Sequence, residues 1–130
     1  MMEFKVRTNK KYEVIDITQQ VAEAVRAASV NEGLCCVFVP HATAAVVINE
    51  NDDMQIGMDL LEALGKIVPE GKWRHDQIDS NGAAHLKAAI LGPSETLPVQ
   101  NGRLVLGTWQ AIMLVELDGP RDRRIIVTTR

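Results

Sequence analysis

The sequence predicts an α+β fold: a β-sandwich-like core of mostly antiparallel sheets with a few short helices, forming a single domain over residues 1–130. Three observations carry the prediction. Short apolar stretches, alternating or continuous, recur between polar turns, as antiparallel strands do. Asn101-Gly102 lies between two such stretches, and that dipeptide is a strong hairpin signal. Trp109 to Leu117 is apolar on both faces, so a second sheet or a neighbouring subunit is expected to cover each face.

The elements follow in order. Phe4, Val6 and Thr8 alternate with Lys5 and Arg7, a first strand. Asn9-Lys10-Lys11 reads as a turn, and Tyr12 to Ile17 as the second arm of a hairpin. Thr18 is placed to cap a helix in which Val21, Val25 and Ala28 recur at helical spacing, closed by Glu32-Gly33. Leu34 to Val39 is a buried strand that Pro40 stops, and Ala45 to Ile48 is the next. Met54, Met58, Leu61 and Leu64 fall on one face of a helix over 53–64, which Gly65 ends or loosens. Residues 69–80 form a polar loop. Asn81 caps a short helix running to Leu91, closed by Gly92-Pro93. The C-terminal third is β: residues 97–100, the Asn101-Gly102 turn, 103–106, 109–117 and 123–129. Asp118-Gly119-Pro120-Arg121 between the last two reads as a tight hairpin turn.

Composition narrows the function classes. The chain is 46% hydrophobic and 24% charged with a net charge of −3, an ordinary globular balance. It lacks the basic excess of a nucleic-acid footprint, and its 4% aromatic content does not suggest a base-stacking platform. No stretch reaches the length of a membrane span, and the N-terminus shows no signal-peptide pattern. Cys35 and Cys36 are adjacent on a strand and point to opposite faces, so they read as reduced, buried thiols of a cytoplasmic protein.

Polar residues at the ends of apolar rows mark the candidate site. Val37 and Val39 lead to His41, Val46 and Ile48 to Glu50, and Ile112 and Leu114 to Glu116, with Gln110 opening that row and Asp118 following it. Loops at sheet ends are where a rigid scaffold carries function. Glu116 lies inside Ala-Ile-Met-Leu-Val-Glu-Leu and requires a partner there; Arg121 and Arg123 are the candidates. The bland alternative is a structural ion pair. All three histidines, His41, His75 and His85, sit in polar segments near element ends. Gathered by folding, they would make a zinc site with an open fourth position; taken singly, each also reads as a hydrogen-bonded rim or surface histidine. Their spacings match no compact zinc signature. Thr43 could orient His41, and Asn81 lies one turn before His85. Arg121 and Arg123 offer planar forks that match phosphate.

Taken together, Pro40-His41-Ala42-Thr43, Ile48-Asn49-Glu50-Asn51, Trp73-Arg74-His75-Asp76, Asn81-Gly82-Ala83-Ala84-His85, Leu91-Gly92-Pro93-Ser94, Leu106-Gly107-Thr108-Trp109-Gln110 and Glu116-Leu117-Asp118-Gly119-Pro120-Arg121 resemble the YjbQ family, also called secondary thiamine-phosphate synthases. The resemblance covers nearly the whole chain, in order. It implies a homotrimer with a polar metal- or anion-holding site near a subunit boundary. It also implies a weak synthase activity that couples hydroxymethylpyrimidine diphosphate to thiazole phosphate and releases pyrophosphate. On that reading His41, His75 and His85 hold a divalent metal ion, zinc. His41, Glu50, Glu116, Asp118 and Arg121 serve the chemistry, while Thr43, Asn81, Gln110, Arg121 and Arg123 hold the phosphorylated metabolite. The alternative is a trimer that binds a metal or phosphometabolite without turning it over.

Overall fold

In the computed structural model, which describes residues 1–130, eight strands and three helices follow one another as β1 (Met2–Arg7), β2 (Glu13–Asp16), α1 (Thr18–Ala27), β3 (Gly33–Phe38), β4 (Ala44–Glu50), α2 (Gln55–Ile67), a single 3-10 turn (Arg74–Gln77), α3 (Gly82–Leu91), β5 (Ser94–Gln100), β6 (Arg103–Leu104), β7 (Gln110–Glu116) and β8 (Asp122–Thr129). They form a five-stranded sheet in the order β1-β8-β3-β5-β6 and a three-stranded sheet in the order β2-β7-β4. Every strand pairing is antiparallel. The α+β sandwich expected from the strand pattern is the architecture present.

Parity places the core. Val6, Cys35, Val37, Leu97, Val99, Ile125 and Val127 of the larger sheet meet Ala44, Val46, Ile112 and Leu114 of the smaller one, with Val21, Ala24 and Val25 of α1 plugging one side. The other face of the smaller sheet carries Ala45, Val115 and Leu117 against Ala84 and Ala88 of α3, with Leu60 and Leu61 of α2 beside them. This is why β7 is apolar on both faces: it is the middle strand of the middle layer.

Three local expectations need correction. The turns at Asn9-Lys10-Lys11 and Asp118–Arg121 do not close hairpins. β1 and β8 belong to the larger sheet, whereas β2 and β7 belong to the smaller, so each turn carries the chain from one sheet to the other. The second does so through a cis Gly119–Pro120 peptide. On α2, Met54 and Met58 are exposed, Leu61 is half-buried, and the buried residues are Gly57 and Leu64. Gly57 lets the helix close on Val14, whose Cβ lies 3.2 Å from where a Gly57 side chain would begin, and this contact sets which face turns inward. Gly65 does not end α2, which continues to Ile67.

The caps also differ from expectation. Thr18 is the first residue of α1. Its N–H is accepted by Asp16 Oδ1 at 2.8 Å, and its hydroxyl accepts the Ile112 N–H at 2.9 Å, tying α1 to β7. Asn81 makes no side-chain cap bond to α3. The Gly82 N–H is accepted instead by Asp76 Oδ1 at 2.7 Å, so the 3-10 turn caps α3 from outside. That frees the Asn81 side chain for the site. The Asn101-Gly102 hairpin between β5 and β6 is present as expected, with φ of 54° and 74°, the left-handed pair a type I′ turn requires.

Candidate functional site

One end of the sandwich is polar inside. β7 and β8 present Glu116 and Arg123 on their inward faces, where the apolar rows Ile112-Leu114 and Ile125-Val127 run out. Glu116 is 0% and Arg123 1% exposed. Arg123 Nε donates to Glu116 Oε1 at 3.0 Å and to Oε2 at 3.1 Å, and its Nη2 donates to Oε2 as well. The buried carboxylate thus has the partner it requires, Arg123 rather than Arg121. Glu116 also accepts from the Thr8 hydroxyl at 2.7 Å and from the backbone N–H groups of Leu117 and Asp118 at 3.0 and 3.1 Å. A carboxylate offers about four lone-pair sites, so this one has none left for a ligand. Its place is to hold the two sheets together and to fix its neighbours.

Those neighbours reach the surface. Arg123 Nη2 donates to the Thr43 hydroxyl at 2.9 Å and the Thr43 carbonyl at 3.1 Å. The Thr43 hydroxyl lies 3.0 Å from His41 Nδ1, and the Thr43 N–H donates to the same nitrogen at 3.2 Å. A nitrogen that accepts a backbone N–H carries no proton, so the neutral His41 ring holds its proton on Nε2. Burial depresses the affinity of His41 for a second proton. The cations of Arg123 and Arg121 depress it further, against the opposing pull of Glu116 and Asp118. His41 is therefore an exposed N–H donor set beside two arginines.

On the other flank, the Asp118–Arg121 turn is clamped to the loop after β1. Thr8 exchanges bonds with the Arg121 backbone, and the Gly119 N–H donates to the Lys11 carbonyl at 3.0 Å. Arg121 Nε donates to the Asp118 carbonyl at 2.8 Å and its Nη2 to Asp118 Oδ2 at 3.0 Å; Asn81 Nδ2 donates to the same Oδ2 at 2.9 Å. The Arg121 side chain remains 42% exposed. Its guanidinium is thus fixed by bonds on one edge and open on the other.

The structure sorts the remaining predicted residues into two further places. His75 and His85 meet edge to face with ring centroids 4.6 Å apart. His75 Nε2 and Asn81 Oδ1 are buried without a hydrogen-bond partner. Glu50 and Gln110 lie opposite each other across β4 and β7, whereas Ala44 lies opposite Glu116. Six residues of strand, about 20 Å, therefore separate Glu50 and Gln110 from Glu116 within one chain. Gln110 Oε1 there accepts the Gly107 N–H at 2.8 Å.

The donor set bears on zinc. No three His, Cys, Asp or Glu side chains of the chain form a group able to hold a metal ion. His75 and His85 supply two imidazoles in contact. His41 does not fit as a third in this arrangement: a ligating imidazole donates its second N–H to an acceptor, and here that nitrogen is itself the acceptor of a backbone N–H. Two adjacent guanidinium groups also oppose a cation. What the His41 end offers outward are N–H donors, His41 Nε2 and the unbonded edge of Arg121.

Sequence reasoning missed Thr8, Tyr12 and Lys87. Thr8 ends the Phe4-Val6 row as Glu116 ends its own, and that signal was available. Lys87 is buried on α3 between Ala84 and Ala88, its amine 3.4 Å from the Tyr12 hydroxyl and 4.5 Å from the Tyr12 ring centroid. Burial lowers the proton affinity of Lys87, partly offset by Glu70. The Tyr12 hydroxyl is pushed up by burial and by its bond to Glu70. No helix of the chain is long and apolar enough to cross a membrane.

Comparison with known proteins agrees with the resemblance in the motifs. The family model described as UPF0047 protein YjbQ-like matches residues 2–130. A UPF0047 protein of Archaeoglobus fulgidus is 50% identical over 127 residues, covering 97% of this chain and 98% of that one. The UPF0047 protein YugU of Bacillus subtilis is 38% identical over 122 residues, covering 92% of this chain and 90% of that one. The crystal structure of a YjbQ/UPF0047-family protein from Clostridium acetobutylicum superposes with a TM-score of 0.96 at 40% identity over the full length of both chains. That of a protein from Sulfolobus solfataricus gives 0.94 at 42% identity, over 98% of this chain and 94% of the other. With its fold, its ordered motifs and its relatives in agreement, the chain belongs to the YjbQ/UPF0047 family.

Proposed function

We propose that the polar end of the sandwich binds the phosphate groups of a small metabolite and supports a transferase reaction of the thiamine-phosphate synthase type, with pyrophosphate as leaving group. The observation that carries this reading is Arg121: one edge of its guanidinium is pinned by Asp118, Asp118 is pinned by Asn81, and the other edge is open to solvent. A preorganised donor aimed at developing phosphate charge is the largest electrostatic aid such a reaction can receive. His41 adds an outward N–H next to it. Arg123, Thr43 and Glu116 act behind these two as positioning residues, and Asp118 orients Arg121.

The homotrimer implied by the family resemblance belongs to the same proposal. Within one chain Glu50 and Gln110 lie at the far end of the smaller sheet, so they join the site only from a neighbouring subunit. The same holds for a third protein ligand completing His75 and His85 into a zinc site, unless His41 turns its ring. No step of the proposed reaction is routed through a metal. The test is direct. Purified protein is incubated with hydroxymethylpyrimidine diphosphate and thiazole phosphate, product is followed by fluorescence after oxidation, and zinc content is measured by mass spectrometry. Formation of thiamine phosphate that Arg121→Ala abolishes supports the reading. Product that survives Arg121→Ala unchanged removes it.

The second reading, binding without turnover, is favoured by one observation: Glu116 is saturated with donors, so this end holds no free buried general base. Phosphate-dependent thermal stabilisation without product would select it.

A further inference from the structure

A cleft of about 870 Å³ opens at the other end of the sandwich from Glu116, between α1 with the loop that follows it and the β5–β6 hairpin. Its floor is apolar: Ala22, Val30, Leu104 and Leu106, of which Val30, Leu104 and Leu106 pack on the main core and are therefore fixed. Two arginines, Arg26 and Arg103, stand in its walls. Neither takes part in any ion pair of the chain. Arg26 lies in the last turn of α1, where a cation complements the helix dipole; that does not account for Arg103, on a two-residue strand across the cleft. The mouth is held in shape. The Gly102 N–H donates to the Asn31 carbonyl at 2.9 Å, and the Asn101 N–H to Glu32 Oε1 at 3.1 Å, pinning the hairpin tip to the loop after α1.

From these features we infer that the cleft is a second binding site, separate from the polar end, for a small organic anion: an apolar body seated on Leu104 and Leu106, with a phosphate or carboxylate held between Arg26 and Arg103. Pockets of this size that bind small molecules are mostly apolar with a few convergent polar groups. A guanidinium fork matches either anion in geometry.

The experiment uses the intact protein labelled with ¹⁵N and two probes, phenyl phosphate and phenylacetate, with inorganic phosphate and benzyl alcohol as head-only and body-only controls. The expected result is saturable shifts of the backbone amides of Ser29, Asn31, Gly102 and Arg103 with at least one probe. Arg26→Gln and Arg103→Gln, both exposed positions that leave the melting curve unchanged, should each weaken that binding about tenfold, the loss of one charge-assisted contact. Arg121→Gln should leave it unchanged. Whichever probe binds more tightly tells phosphate from carboxylate. The inference is overturned if neither probe shifts these amides at millimolar concentration, if both arginine variants bind as wild type does, or if inorganic phosphate binds as tightly as the probes.

Discussion

Arg123 and Glu116 offer the sharpest energetic test, because they are the only oppositely charged pair fully inside the sandwich. Arg123→Met removes the cation at similar volume. Glu116 then keeps three donors, the Thr8 hydroxyl and the Leu117 and Asp118 N–H groups, while the Thr43 carbonyl loses its bond from Arg123. Glu116→Leu removes the anion and leaves a guanidinium 1% exposed with only Thr43 to face. Breaking a buried pair from one side costs about 3–5 kcal/mol. A carboxylate can neutralise itself by taking a proton, whereas a guanidinium keeps its charge at any working pH. The expected losses are therefore about 3 kcal/mol for Arg123→Met and about 5 kcal/mol for Glu116→Leu. The double variant strands neither charge and should lose no more than Arg123→Met alone. Urea denaturation reads this directly: with a slope of about 2 kcal/mol/M, 3 kcal/mol moves the midpoint by about 1.5 M. Single losses that add within about 0.5 kcal/mol in the double variant would refute the coupling. So would a Glu116→Leu protein as stable as wild type.

Further outcomes follow from the same geometry. Gly119→Ala places a Cβ 2.4 Å from the Lys10 carbonyl oxygen and 2.8 Å from both Glu116 Cγ and Thr8 Oγ1, so it should cost about 3 kcal/mol in thermal or urea unfolding; a neutral result would mean the turn is not clamped. His41 should titrate below 6.5 by NMR, and Arg121→Gln should raise its value. Because the folded value is depressed, the neutral His41 ring contributes stability that is present above about pH 6.5 and lost as pH falls through the folded value. The gap in urea midpoint between wild type and His41→Gln should therefore change in that window and be flat above pH 7.5. Asn81→Ala frees Asp118 and loosens Arg121, so pyrophosphate affinity by calorimetry should fall about fivefold, the worth of one hydrogen bond, with little change in melting temperature.

What the sequence made legible was parity. The rows Ile112-Leu114-Glu116 and Val37-Val39-His41 pointed to the polar end, because a β-strand puts every second residue on one face and a carboxylate ending a buried row needs a partner. Which sheet a strand joins was not legible. Asn9-Lys10-Lys11 and Asp118–Arg121 have the chemistry of turns, and turn chemistry reverses a chain without stating whether it pairs with its predecessor or crosses to the facing sheet. The same ambiguity hid the partner of Glu116: only once β8 faces β7 across the core does Arg123, and not the nearer Arg121, reach it. On α2 the methionine stripe suggested a buried face, but the close approach of Gly57 to Val14 turned Met54 and Met58 outward. Lys87 carried no local signal, because its burial follows from Tyr12, seventy-five residues away.

The proposed anion site is formed by Arg121 and His41 at the Glu116 end of the sandwich. The measurement that meets it head-on is a crystal structure with pyrophosphate. Phosphoryl oxygens are expected within about 3.2 Å of the Arg121 guanidinium and of His41 Nε2. Pyrophosphate bound only elsewhere, or a cation coordinated by His41 Nε2 in its place, would contradict it.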